Sequence, residues 1–243
     1  MKKYPSLDSM RKSGSILRSA LVVAATAASS PGATPLFIDN AVRKFIERCG
    51  AHPAFLGYEG YPASTCISIN SQVVHCIPSD TPILKGDIVG VDCGVEFEGA
   101  ITDACRTVCV GKVAPRTKKL VITAYSALVA GIKEAKPGAR VGDISYAIQK
   151  TVESAGFSVS REFVGHAVGP VLHSPPWIPN YGRAGRGALL KAGMFIAIEP
   201  VIFDGNWHTK LEGDWNTVSV DGNLSAHVED TIYVSPEGPV VIT

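Results

Sequence analysis

Gly86-Asp87-Ile88-Val89-Gly90-Val91-Asp92 is the stretch on which the reading of the fold turns. It opens on a glycine, runs through β-branched residues and stops at a carboxylate, the pattern of a strand that carries an acid into an apolar interior. A second version follows 107 residues later, Gly193-Met194-Phe195-Ile196-Ala197-Ile198-Glu199. Pro31-Gly32-Ala33 and Pro137-Gly138-Ala139 are 106 residues apart, and similar helical stretches, 41–50 and 147–156, begin ten residues after each proline. Two agreeing offsets indicate an internal repeat, about 31–110 and 137–234.

Working outward, each half reads as two helices followed by a sheet. Periodicity and Gly/Pro punctuation predict helices near 7–29, 34–50, 117–135 and 141–155. Strands are expected near 67–69, 87–95, 100–110, 194–201, 217–220 and 225–234. The expected fold is α+β: helices covering one face of a mostly antiparallel sheet, with pseudo-twofold symmetry between the halves. No Gly/Ser linker or charge run divides the chain, so residues 1–243 are read as one domain.

Composition narrows the function. The 243 residues carry 23 Lys+Arg against 22 Asp+Glu, and 46% are hydrophobic. That apolar share supports a core and excludes dominant disorder, and the near-neutral charge argues against a nucleic-acid binder. Six cysteines without a C-x-x-C pair read as reduced residues of a cytoplasmic protein. Arg18 and the apolar run 20–25 imitate a leader peptide, but Met10, Leu17, Leu21 and Ala24 recur at helical spacing. No run approaches the ~18 apolar residues of a membrane span.

Charge inside apolar strands is the anomaly that points to chemistry. Asp92, Asp103, Glu199 and Glu229 all sit among apolar or small residues. Buried carboxylates need a partner, a hydrogen bond or a metal. A tight turn at Phe97-Glu98 would place Asp92 directly opposite Asp103, about 5 Å apart at Cβ. Two adjacent carboxylates repel unless a proton or cation lies between them. With His166 as a nitrogen donor, the set suits two divalent ions of the Mn, Fe, Co or Zn type. His75 and His173 are candidate proton donors or substrate anchors beside them. His52, His208 and His227 are read as structural or exposed.

The ordered set Asp92, Asp103, His166, Glu199 and Glu229 resembles the five-ligand signature of the methionine aminopeptidases, metallopeptidases of the pita-bread fold. The stretch 56–70 and Pro179-Asn180-Tyr181-Gly182 are similar to pocket segments of the bacterial type I enzymes. The resemblance covers nearly the whole chain and implies a curved, mostly antiparallel sheet under helices. It further implies that Asp103 and Glu229 bridge two metals, Asp92 chelates one, and His166 with Glu199 bind the other. Catalytic roles fall to His75, His173 and Glu199, with Glu199 accepting the proton of an activated water. Substrate contacts fall to His75 and His173, and Tyr58, Tyr61, Cys66 and Trp215 wall the pocket for a methionine side chain.

The implied activity is removal of the N-terminal methionine from peptides and nascent proteins by a monomer, with ribosome docking as a possible extension. Some residues depart from the pattern. Cys76 and Ala167 stand where glycine is usual, Leu172 where phenylalanine is frequent, Gly94 where a threonine is common, and Phe55 where a smaller residue is. Asp230 is a feature shared with the proline-specific relatives. The rival readings are an X-prolyl aminopeptidase and a noncatalytic binding protein of the same fold.

Overall fold

The computed structural model describes residues 4–30 and 32–243; Pro31, from which the first repeat is expected to run, lies outside them. Helix α1 (Leu7–Ala28) starts at Ser6, whose hydroxyl accepts from the Ser9 amide. Helix α2 (Pro35–Arg48) starts at Thr34, whose hydroxyl accepts from Phe37, with proline at its first position. The run that imitates a leader peptide is thus the middle of α1, with Met10, Leu17, Leu21 and Ala24 buried. Helices α3 (Pro115–Glu134) and α4 (Val141–Ser154) form the second pair. Among the described residues no helix is long and apolar enough to cross a membrane.

Each helix pair covers a sheet. In the first half, Ile88–Phe97 pairs along one edge with Ala100–Cys109. Its other edge takes Cys66–Ile69 and His52–Pro53, all antiparallel. In the second half five antiparallel strands run in the order Gly238–Val241, Asp230–Ser235, Phe195–Ile198, Val164–Ala167, Ser174–Pro179.

Strand alternation sorts the side chains. Val89, Val91, Cys93, Val95 and Ala104 pack with α1 and α2, and Ile196, Ile198, Val228, Ile232 and Val234 pack with α3 and α4. Period two therefore sends Asp92, Asp103, Glu199 and Glu229 to the face away from the helices. The halves are stitched at that face. Cys105 and Glu229 exchange backbone hydrogen bonds of 3.3 and 3.0 Å. The Thr231 hydroxyl accepts from the Asp103 amide at 2.9 Å and donates to the Asp103 carbonyl at 2.8 Å.

Two expectations need correction. The hairpin turns at Glu98-Gly99, both at positive φ, so Asp92 lies opposite Cys105 and Asp103 opposite Gly94. Two consecutive positive-φ residues suit the twist of a two-residue hairpin, and glycine supplies one of them without strain. The register moves by two, an even number, so both aspartates keep the same face and become diagonal neighbours. The strands expected over 194–201 and 225–234 are each broken, at Glu199-Pro200 and Val228-Glu229. Pro200 has no N–H to continue a ladder. Both breaks occur at a carboxylate of the cluster.

Candidate metal centre and substrate pocket

The face away from the helices closes into a cavity of about 210 Å³. Its floor is Asp92, Asp103, His166, Glu199, His227 and Glu229, and its walls include Phe55, Tyr58, Tyr61, Cys66, His75, Leu172, His173 and Trp215. All eleven side chains singled out from the sequence therefore meet in one place. Asp103, His166 and Glu229 are almost wholly buried, at 2–3% exposure.

The floor lacks internal partners. Asp92 Oδ1, Asp103 Oδ1, Glu229 Oε1 and His227 Nε2 are buried without a hydrogen bond. Orphaned buried polar atoms are rare, and four on one floor call for a ligand that the chain does not itself provide. The imidazoles on the floor are too far to hydrogen-bond: His166 Nε2 lies 3.8 Å from Asp103 Oδ2 and 3.9 Å from Glu199 Oε1, and His227 Nε2 comes no closer than 3.6 Å to a carboxylate. Donor atoms of Asp92, Asp103 and Glu229 lie within 4.8 Å of one another, as do those of His166, Glu199 and Glu229. Asp103, His166 and His173 form a third such group. The donor set, hard oxygens with imidazole nitrogen, fits a divalent cation of the first transition row.

Protonation follows from burial. Loss of hydration pushes the Asp92 carboxyl up to about 8. Burial, then the charges of their neighbours, hold Asp103, Glu199 and Glu229 well above the ordinary carboxylate range. Without a cation the cluster therefore retains protons at neutral pH. Burial and the neighbouring His173 lower His166 to about 3, so its ring is neutral. His166 Nδ1 lies 3.2 Å from the Ala167 carbonyl. A carbonyl only accepts, so Nδ1 carries the proton and Nε2 presents its lone pair to the carboxylates.

The walls are held by other contacts. His173 Nδ1 lies 3.1 Å from the Tyr58 hydroxyl, and its ring meets that of His166 edge-on at 4.4 Å. Burial and the nearby His75 lower His173 to about 4. His75 adopts φ 58°, a left-handed conformation that costs a non-glycine residue energy and recurs at functional sites. The Tyr61 hydroxyl donates to the carbonyls of Thr65 and Cys76, both at 3.0 Å, while its ring stacks edge-on with Trp215. Tyr61 thus shows the pocket an aromatic surface with its hydroxyl already engaged.

Departures from the family pattern acquire a structural meaning here. A Cβ on Gly94 would lie 2.8 Å from the Phe55 ring and 3.0 Å from Ala54 Cβ. The Phe55 ring thus fills the space that a side chain at 94 would need. Asp230 points away from the floor: its Oδ1 accepts from Arg106 Nη2 at 2.6 Å and from Thr243 at 3.1 Å. Cys76 is fully buried, with Sγ against the Val74 and Thr217 carbonyls.

Two residues that bear on the cavity lie outside the set singled out from the sequence. His227, read as structural or exposed, is buried and lines the floor with Nε2 3.6 Å from Glu199 Oε2 and 3.8 Å from Glu229 Oε2. Period two contains the signal, because 227 shares a face with 229. Asp39, on the buried face of α2, accepts from the amides of Ser64 and Thr65 and from the Thr65 hydroxyl. It anchors the loop between Tyr61 and Cys66, and its position beside Ile38 and Val42 marks it as a buried acid. His52 and His208 are exposed, as expected.

Comparison with known proteins agrees with this geometry. The profile of metallopeptidase family M24 matches residues 8–236. The methionine aminopeptidase of Clostridium perfringens is 43% identical over 244 residues, covering 100% of this chain and 98% of the relative. The crystal structure of the methionine aminopeptidase from Thermotoga maritima superposes with a TM-score of 0.96 at 40% identity, covering 100% of this chain and 99% of that one. The prolidase of Pyrococcus horikoshii shares the fold, with a TM-score of 0.79 at 22% identity, and this chain covers 64% of it. The chain belongs to metallopeptidase family M24, in its methionine aminopeptidase branch, with the pita-bread fold and the divalent-metal dependence of that family.

Proposed function

We propose that the chain is a metallo-aminopeptidase that removes the N-terminal methionine from peptides and nascent proteins. The observation that carries this reading is the convergence of Asp92, Asp103, His166, Glu199 and Glu229 on one floor, where one buried oxygen each of Asp92, Asp103 and Glu229 has no hydrogen-bond partner. The floor would hold two divalent cations, Co, Mn, Fe or Zn, with Asp103 and Glu229 placed centrally enough to serve both. Bound there, such cations supply Lewis-acid polarisation of a carbonyl and activation of water at neutral pH.

The chain's own side chains do the rest. Glu199 sits between His166 and His227 and accepts the water's proton, then delivers it to the leaving amine. His173, neutral and oriented by Tyr58, donates from Nε2 to the carbonyl oxygen as negative charge develops. His75 faces the same cavity and orients the peptide. Tyr58, Tyr61, Cys66 and Trp215 surround the first side chain, and a thioether suits such walls because it has no strong hydrogen bond to satisfy. The small volume of the cavity, about 210 Å³, restricts attack to the first peptide bond. The 243 residues are proposed to act as one catalytic domain, a cytoplasmic monomer whose association with the ribosome follows from a nascent-chain substrate.

The test is turnover of Met-Ala-Ser against Ala-Pro-Ala by apoprotein reconstituted with each metal. Cleavage of Met-Ala-Ser is expected to dominate. Preference for Ala-Pro-Ala would select the X-prolyl reading, and no turnover of either with any metal would select a binding protein.

A further inference from the structure

His227 stands to the floor as His166 does. His166 Nε2 faces Asp103 Oδ2 and Glu199 Oε1 at 3.8 and 3.9 Å. His227 Nε2 faces Glu199 Oε2 and Glu229 Oε2 at 3.6 and 3.8 Å. Glu199 therefore lies between two imidazoles, one addressing each of its oxygens. Neither separation is a hydrogen bond, but both suit donors sharing one ion: two ligands at about 2.1 Å from a cation lie roughly 3–4 Å apart, depending on the angle between them.

Three further observations bear on His227. Its Nε2 is buried and has no hydrogen-bond partner, and the residue is only 6% exposed. Its backbone is pinned, since its carbonyl accepts from the Thr107 hydroxyl at 2.6 Å and the Cys105 thiol at 3.3 Å. Its amide lies 3.2 Å from Thr107 Oγ1. A clamp of this kind fixes the backbone from which the buried ring projects toward the floor. We propose that His227 is a sixth metal-ligating residue of the floor, giving a centre with four carboxylates and two imidazoles in which His166 and His227 bind on opposite sides of Glu199. This rests on the metal-centre reading above.

Titrating Co(II) into the apoprotein and recording paramagnetic proton NMR counts coordinated histidines directly, through exchangeable ring N–H signals shifted outside the normal range. Two such signals are expected in the unaltered protein and one in His227→Gln. That variant should also change the visible d–d absorption of Co(II) and weaken one of the two ions by about 10- to 100-fold or more. One shifted signal in the unaltered protein, with the spectrum and affinities unchanged in His227→Gln, overturns the role of His227 and leaves the carboxylate floor standing. Absence of any Co(II) binding overturns the floor itself. Because His173 also forms a donor group with Asp103 and His166, a second signal that persists in His227→Gln and is lost in His173→Gln belongs to His173 and overturns the role of His227.

Discussion

Glu229 and Asp230 are consecutive carboxylates with opposite fates. Asp230 is enclosed by Arg106 and Thr243, and burial that raises its pKa is opposed by the guanidinium beside it. Glu229 has an oxygen with no partner, and the charges that act on it come from other acids. One residue of sequence moves the side chain across the sheet, from a place where the chain completes its own electrostatics to one where it leaves them incomplete. Incomplete satisfaction joined to burial and charge marks Asp92, Asp103 and Glu229 on the proposed metal floor, whereas Asp230 is completed by the chain itself.

The sharpest way to break this contrast is to alter the two residues separately. Glu229→Ala is expected to lower kcat/KM by more than about 10³, since even one oxyanion donor is commonly worth about 10²–10³. The metal-free fold should tolerate it, because a repelling acid is removed. Asp230→Ala should leave metal stoichiometry unchanged and cost roughly 1.5–3 kcal/mol of stability by stripping Arg106 of its charged partner. Equal effects of the two on metal content would erase the distinction. His173→Ala tests the wall against the floor: about 10²–10³ in kcat with both metal affinities retained is expected in steady-state kinetics and titration.

A smaller effect probes the packing of Phe55 beside the floor. Gly94→Thr is expected to lower the denaturation midpoint by the equivalent of about 1–3 kcal/mol through overpacking against Phe55. Adding Phe55→Ala should recover much of that loss, and failure to recover it would make the two departures independent.

The mildest expected effect is the pH dependence of the metal-free protein. Asp92, raised to about 8, binds a proton in the folded state that the unfolded state has lost above its ordinary value of 3.8. That contribution to stability is full at low pH and disappears as pH rises through 8. His166 and His227, lowered to about 3 from 6.5, act in the other direction but only between those values. From pH 6.5 to 8 the carboxylates alone remain, so the urea midpoint of the apoprotein should fall across that window. Saturating metal should flatten the slope, and a midpoint that rises would contradict the protonated cluster.

Much of the fold and of the floor is legible in the amino-acid sequence because each signal is local. The four acids stand out against Ile88-Val89-Gly90-Val91 and Phe195-Ile196-Ala197-Ile198, and caps such as Ser6 and Thr34 fix where helices begin. The register between Asp92 and Asp103 is not legible in the same way, because it depends on which two residues turn the hairpin, a choice made by the positive φ of Glu98 and Gly99. The difference does not reach the site, since a shift of two preserves the face. His227 is hidden for another reason. Its ring has no meaning until the second half folds back and Cys105 pairs with Glu229, a contact between residues far apart in the chain.

The most direct test of the incomplete floor is anomalous X-ray diffraction from crystals of the apoprotein soaked in Mn(II). Two strong peaks within bonding distance of Asp92, Asp103, His166, Glu199 and Glu229 are the expected result. A cavity without anomalous density, its acids hydrogen-bonded to one another, would contradict it.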